Sequence, residues 1–312
     1  MENLLVNLTI SVFNSNAICR RISTVKERIS AFNFLKNKNE DDFAFKVYAI
    51  EEFIKFNTVT SDDLNIAGMY YINKEVKSDN WVVLIHGYTQ SKEEIALTGS
   101  FYANLGFNVV SFDLRNHGES DDKYVSFGVQ EQKELISVLE YLKNELGAKN
   151  IGLAGWSLGA FTTNLFALTS YDLILKYNII FGVSDSSFFD MAPTFKNVAK
   201  FNFPQINITD SVYEGVINTY KNDLKINTDL LNLNNIQKKE PTFPILFFHG
   251  KKDIICNPDD SQKIFDFRKE IVKSKEDKLV YFENSGHIQS LKKNKYDYIM
   301  EVSKFISDIK FK

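Results

Sequence analysis

From residue 53 onward, short apolar runs recur along the chain and alternate with stretches of helical period. Residues 53–60 and 66–72 are β-rich and are joined by Ser61, Asp62 and Asp63, which predicts an antiparallel pair at a sheet edge. Residues 81–85 are continuously apolar, as a strand covered on both faces must be. Runs of the same kind follow at 107–112, 151–154, 179–183, 245–248 and 279–282. Between them the period lengthens. Residues 129–146 place Leu135, Leu139, Leu142 and Leu146 on one helical face, and residues 298–309 do the same with Val302, Phe305 and Ile309. Strands alternating with helices predict an α/β fold with a doubly wound, mostly parallel sheet.

Two regions break this rhythm. Residues 183–245 hold helical patterns but no strand, far more chain than an ordinary connection needs. They predict a helical lid insertion over 187–242 that covers the carboxyl edge of the sheet, and the Asn-, Asp-, Leu- and Lys-rich tract 222–240 is assigned to its helices. Residues 1–50 read as a helical extension ahead of a main domain at 51–312. Asn7, Thr9, Ser11, Asn14 and Asn16 interrupt the first nineteen residues, so no run approaches the ~18 apolar residues of a membrane span. A basic start and a small-residue cleavage site are also lacking, so a signal peptide is not expected. Residues 20–38 carry six basic side chains against Glu27 alone, with Ile22, Val25, Ile29 and Phe32 at helical steps. That amphipathic helix could pack on the domain or rest on an anionic membrane surface.

Composition narrows the class. The chain has 312 residues, with 37 Lys and Arg against 40 Asp and Glu, a net charge of −3. A slightly acidic chain argues against nucleic acid as a partner, since such binding draws on clustered cations. Cys19 and Cys256 form no metal spacing and are too few for a disulfide scaffold, so a reducing, cytoplasmic setting is expected. With only four histidines, His86, His117, His249 and His287, each is informative.

The segment Ile151 to Ala160 reads as a strand, a G-x-S-x-G turn and a helix. A sharp strand-to-helix turn exposes its central serine above the sheet, and small neighbours let the chain close around it. Ser157 is therefore the candidate nucleophile, with Gly155, Trp156 and Gly159 forming the elbow. A serine hydroxyl needs a base. His287, in Asn284-Ser285-Gly286-His287 after the last strand, falls at the same sheet edge. The base needs an orienting acid, and Asp253, just past the strand that ends in His249-Gly250, is favoured over Asp185. Asp259 and Asp260 read as first-turn helix acids. Backbone donors for an oxyanion are expected from Tyr88, after His86-Gly87, and from Leu158. His86 is read as a loop anchor, Arg115 and His117 as groups satisfying backbone in a rigid loop after 107–112, and His249 as structural. None of these sets suggests a metal or cofactor.

The ordered motifs HGYT, FDLRNHGES, YVSFG, GWSLGA, FFHGKKD and NSGH resemble those of the α/β-hydrolase superfamily, in particular bacterial serine hydrolases of the kind labelled cell-surface or membrane-anchored, across residues 40–312. The resemblance implies the α/β-hydrolase fold, a lid, a Ser-His-Asp triad, an oxyanion hole and hydrolysis of esters or related acyl compounds. It places those roles on Ser157, His287, Asp253, Tyr88 and Leu158. Many relatives begin with an anchor helix that this amino terminus cannot form. A small-molecule acyl substrate is the expected partner. A peptidase or amidase on the same scaffold and a silent binding platform are the alternatives. Phe188, Phe189, Phe195, Phe201 and Phe203 of the insertion either hold an apolar acyl chain or pack the insertion on the sheet.

Overall fold

The computed structural model describes residues 2–19, 50–205, 207–237, 242–274 and 276–311. The basic stretch at 20–38 lies outside the described residues. Among the described residues, eight strands form one sheet in the order β1-β2-β4-β3-β5-β6-β7-β8. β1 (Ile54–Val59) and β2 (Asn65–Tyr71) pair antiparallel at one edge. β3 (Asn80–Ile85), β4 (Asn108–Phe112), β5 (Asn150–Trp156), β6 (Ile179–Asp185), β7 (Ile245–Gly250) and β8 (Lys278–Phe282) run parallel to one another.

The uninterrupted apolar runs have a direct cause. Side chains alternate faces along a strand, and both faces of this sheet are covered. In β3, Trp81, Val83 and Ile85 enter one core while Val82 and Leu84 enter the other. In β5, Ile151 and Leu153 face the first core, and Ala154 and Trp156 the second. The first core is packed by α3 (Gln132–Asn144), α4 (Leu158–Thr169) and α5 (Tyr171–Tyr177), the second by α2 (Lys92–Thr98) and α9 (Lys295–Ser307).

Between β6 and β7 lie α6 (Met191–Asn202) and α7 (Asp210–Asn222). The Asp190 carboxylate caps the first and the Thr209 hydroxyl the second. The tract 222–240 differs from its expected helical form. Where described, it contains two short 3-10 turns, Thr228–Leu231 and Leu233–Asn235. Its asparagines bond the local backbone instead of sustaining a helix, as when Asn232 Oδ1 accepts from the Asn234 amide. After β7, α8 (Pro258–Ile271) opens on an Asn257 cap with Asp259 and Asp260 in its first turn.

The amino-terminal helix α1 (Glu2–Phe13) lies against the insertion. Val6 packs on Gly215 of α7, and Asn14 Nδ2 donates to Tyr220 Oη at 3.3 Å. Val6, Ile10 and Phe13 are buried in the same core as the sheet. Among the described residues, no helix is long and apolar enough to cross a membrane.

Candidate active site

The parallel strands deliver their carboxyl ends to one edge. There Ser157 sits between β5 and α4 with φ 52° and ψ −111°, a conformation costly for any side chain and typical of a functional turn. Two contacts hold it there. The Ser157 amide donates to Asp185 O at 2.9 Å. Behind it α4 crosses so tightly that a Cβ on Gly159 would stand 2.0 Å from Ile85 O, and one on Gly155 2.1 Å from Gly159 O. Glycine at both positions is a requirement of this crossing.

Asp253 and His287 come from adjacent strands. β7 and β8 are locked past their ends, where Lys251 N donates to Phe282 O and Lys252 N to Ser285 O. The approach is so close that a Cβ on Gly250 would stand 2.3 Å from Ser285 O. His287 Nδ1 lies 2.7 Å from Asp253 Oδ2, and His287 Nε2 lies 2.9 Å from Ser157 Oγ. The three side chains thus form one hydrogen-bonded chain. The imidazole is 20% exposed, while the carboxylate is wholly buried. Asp253 Oδ1 accepts from the amides of Ile255 and Cys256. Burial would raise this carboxyl, but hydrogen bonds from His249 and His287 outweigh it and hold its pKa at about 2. Asp185 takes another part: its Oδ1 accepts from the hydroxyls of Ser186 and Ser290, and Ser186 Oγ accepts the Ile288 amide beside His287. Burial pushes the Asp185 carboxyl up to about 6.

The loop after β3 passes directly over the serine. A Cβ on Gly87, the residue before Tyr88, would stand 3.3 Å from Ser157 Cβ, and Leu158 opens α4 directly after the serine. His86 and His117 frame this loop. His86 Nε2 accepts the Leu114 amide and its Nδ1 donates to Gly87 O; His117 Nε2 accepts the Thr89 amide and its Nδ1 donates to Arg115 O. Both are buried neutral imidazoles, and desolvation lowers their pKa values to about 4 and about 3. Arg115 pairs with Glu134 at 2.6 Å and donates to Gln130 O.

The sequence assigns no part in the site to several residues at this edge. Cys256 is buried beside the triad: its amide donates to Asp253 Oδ1, its carbonyl lies 3.2 Å from His249 Nε2, and burial pushes its thiol well up, while Asn197 Nδ2 of α6 donates to the neighbouring Ile255 O. His249 Nε2 lies 3.2 Å from Asp253 Oδ2, and its Nδ1 meets Ser261 Oγ at 2.7 Å. Phe13 and Asn14 arrive from the amino terminus, and Tyr88 Oη donates to Phe13 O at 2.7 Å. Of the insertion phenylalanines, Phe188 stacks on Phe161 and Phe195 on Phe13, whereas Phe201 points outward, 64% exposed. A hollow of about 600 Å³ lies at the opposite, amino edge of the sheet, beside Asn80, Phe107 and Asn150. Among the described residues, no group of three or more His, Cys, Asp or Glu could hold a metal ion.

A mostly parallel sheet flanked on both faces, with a strained serine turn at its carboxyl edge, is the α/β-hydrolase fold. Residues 80–204 match the family model for the alpha/beta hydrolase fold. Over 237 residues the chain is 26% identical to the uncharacterised protein YqkD of Bacillus subtilis, covering 74% of this chain and 72% of that one. It is 29% identical over 140 residues to an acyl transferase of Photobacterium leiognathi, a match spanning 44% of this chain and 43% of that one. The esterase Pf2001 of Pyrococcus furiosus superposes with a TM-score of 0.65 at 20% identity, over 84% of this chain and 96% of that structure.

Proposed function

We propose that this protein is a serine hydrolase that cleaves carboxylic esters through an acyl-enzyme. The observation that carries the reading is the unbroken contact from Ser157 Oγ through His287 to Asp253. In this reading Ser157 attacks the carbonyl carbon while His287 Nε2 takes its proton. Asp253, kept ionised by its two imidazoles and two amides, holds Nδ1–H and stabilises the imidazolium. The amides of Tyr88 and Leu158 receive the developing oxyanion. His287 then protonates the leaving alcohol, and water, activated by the same imidazole, releases the acid. No step requires a metal or cofactor. Residues 187–242 act as the lid, with α6 tied to the loop of Asp253 through Asn197 Nδ2 and Ile255 O.

The likeness to the esterase Pf2001 is a likeness of fold and agrees with this chemistry. The partial match to a Photobacterium acyl transferase favours a second reading, in which an acceptor other than water takes the acyl group. Product analysis with and without an added alcohol separates the two. The primary test is turnover of a short p-nitrophenyl ester together with labelling by a fluorophosphonate. The wild type should do both, and Ser157→Ala neither while keeping its fold. A Ser157→Ala variant that still turns over the ester would overturn the assignment.

A further inference from the structure

Phe13 is the last residue of α1, yet its ring is only 1% exposed and lies at the active-site edge. It stacks on Phe195 of α6 at 4.4 Å and 12°, and lies 5.9 Å from the Tyr88 ring and 6.0 Å from Phe127. The chain around it is pinned at three points. Phe13 O accepts from Tyr88 Oη; Asn14 Oδ1 accepts the Val125 amide at 2.7 Å; and Asn14 O accepts from Asn116 Nδ2 at 3.0 Å. The ring therefore occupies the apolar space between the loop that carries Tyr88 and the insertion. Gly87, next to Tyr88, would bring a Cβ within 3.3 Å of Ser157 Cβ, and Asn197 of α6 donates to Ile255 O in the loop of Asp253, so this space borders the edge that holds the nucleophile. An acyl chain on Ser157 that runs along the Tyr88 side chain would meet the position that Phe13 fills.

We propose that Phe13 closes the far end of the acyl pocket and restricts the enzyme to short acyl groups. This rests on the serine esterase reading above. A buried aromatic pinned by its own main chain sets a firm limit, because interiors pack densely and yield little. Phe13→Ala opens room for further methylenes, and each one that enters is worth about fourfold in kcat/KM at ~0.8 kcal/mol per methylene.

The test compares wild type, Phe13→Ala and Phe13→Leu on p-nitrophenyl esters from acetate to decanoate. It also compares the rates at which short- and long-chain alkyl fluorophosphonates label Ser157. Wild type should favour acetate and butyrate. The decanoate-to-butyrate ratio should rise at least about tenfold in Phe13→Ala and by a smaller factor in Phe13→Leu, with the labelling rates shifting the same way. If Phe13→Ala does not fold, the Phe13→Leu shift decides. A folded variant with unchanged ratios, a parallel loss on every ester, or a wild type that already prefers decanoate would overturn the proposal while leaving the esterase reading intact. A wild type that neither labels nor hydrolyses would remove the esterase reading, and this inference with it.

Discussion

His249 and His287 meet the same oxygen of Asp253, at 3.2 Å and 2.7 Å. Only His287 goes on to Ser157; His249 turns its other nitrogen to Ser261 and is fully buried. It is a positioning residue, placed to stop the carboxylate from rotating away. His249→Leu removes one hydrogen bond to a buried charge, worth about 1.5–3 kcal/mol. If that loss falls on the orientation of Asp253, kcat should drop roughly 10- to 100-fold with KM little changed. Equal kcat in a folded variant would show that the two amides on Oδ1 suffice.

For Asp253→Asn the expected loss is larger. An amide in place of the carboxylate neither favours the Nδ1–H tautomer nor balances an imidazolium, and kcat should fall by about four orders of magnitude. Because the Asp253 carboxyl titrates at about 2, activity lost between pH 7 and 4 should not arise from its protonation. Steady-state pH profiles of wild type and His249→Leu check this.

The elbow makes a contrast between two glycines. Gly159→Ala places a methyl 2.0 Å from Ile85 O, where both sides are backbone. That overpacking should cost about 1–3 kcal/mol or more in urea denaturation and reduce turnover as well. Gly147 has φ 65° and nothing within 4 Å of the added atom. Gly147→Ala should therefore cost only about 1–2 kcal/mol of backbone strain and leave turnover unchanged.

How far the sequence disclosed this arrangement depends on the distance over which each signal acts. The strands were legible because both faces of β3 and β5 are buried, so apolar residues run without a break from Trp81 to Ile85. The serine turn was legible because Gly155 and Gly159 are forced by contacts within one local motif. The tract after Asn222 misled because its leucines suggest a helix, while its asparagines bond the nearby backbone. Phe13 and Cys256 could not be placed at all. Nothing in α1 records that its last ring will meet Tyr88 and Phe195, since that contact exists only after the insertion has folded over the sheet.

The buried imidazoles give a pH dependence of known sign. An unfolded histidine takes its proton near 6.5, whereas His86 and His117 in the fold do so at about 4 and about 3. Below 6.5 the unfolded chain binds the extra protons, so their contribution to stability falls as pH falls. Asp185 acts oppositely: its folded carboxyl protonates at about 6 and its unfolded one near 3.8, so between these values acid favours the fold. Nitrogen chemical shifts should show both imidazoles still neutral at pH 5. In Asp185→Asn the melting temperature should fall more steeply from pH 6 to 4 than in wild type. Protonated imidazoles at pH 5.5 would contradict this account of the loop.

Two lysines with similar ion-pair geometry should differ in worth because of burial. Lys92 is 1% exposed, and its Nζ meets Asp113 at 2.7 Å, Glu93 at 2.7 Å and Glu119 at 2.9 Å. Asp113 also accepts the amides of Lys92 and Glu119, which ties the start of α2 to the loop after β4. Lys92→Met removes the cation and leaves a buried carboxylate beside two others, an uncompensated charge that costs about 3–5 kcal/mol. Lys278 pairs with Asp308 at 2.9 Å in the open, and Lys278→Met should cost at most about 1 kcal/mol. Neutralising the stranded acid in the Lys92→Met, Asp113→Asn double variant should recover part of the loss. Denaturant midpoints of the four proteins test this. Equal losses at the two lysines would mean that the buried cluster holds enough water to screen its charges, and the double variant would then recover nothing.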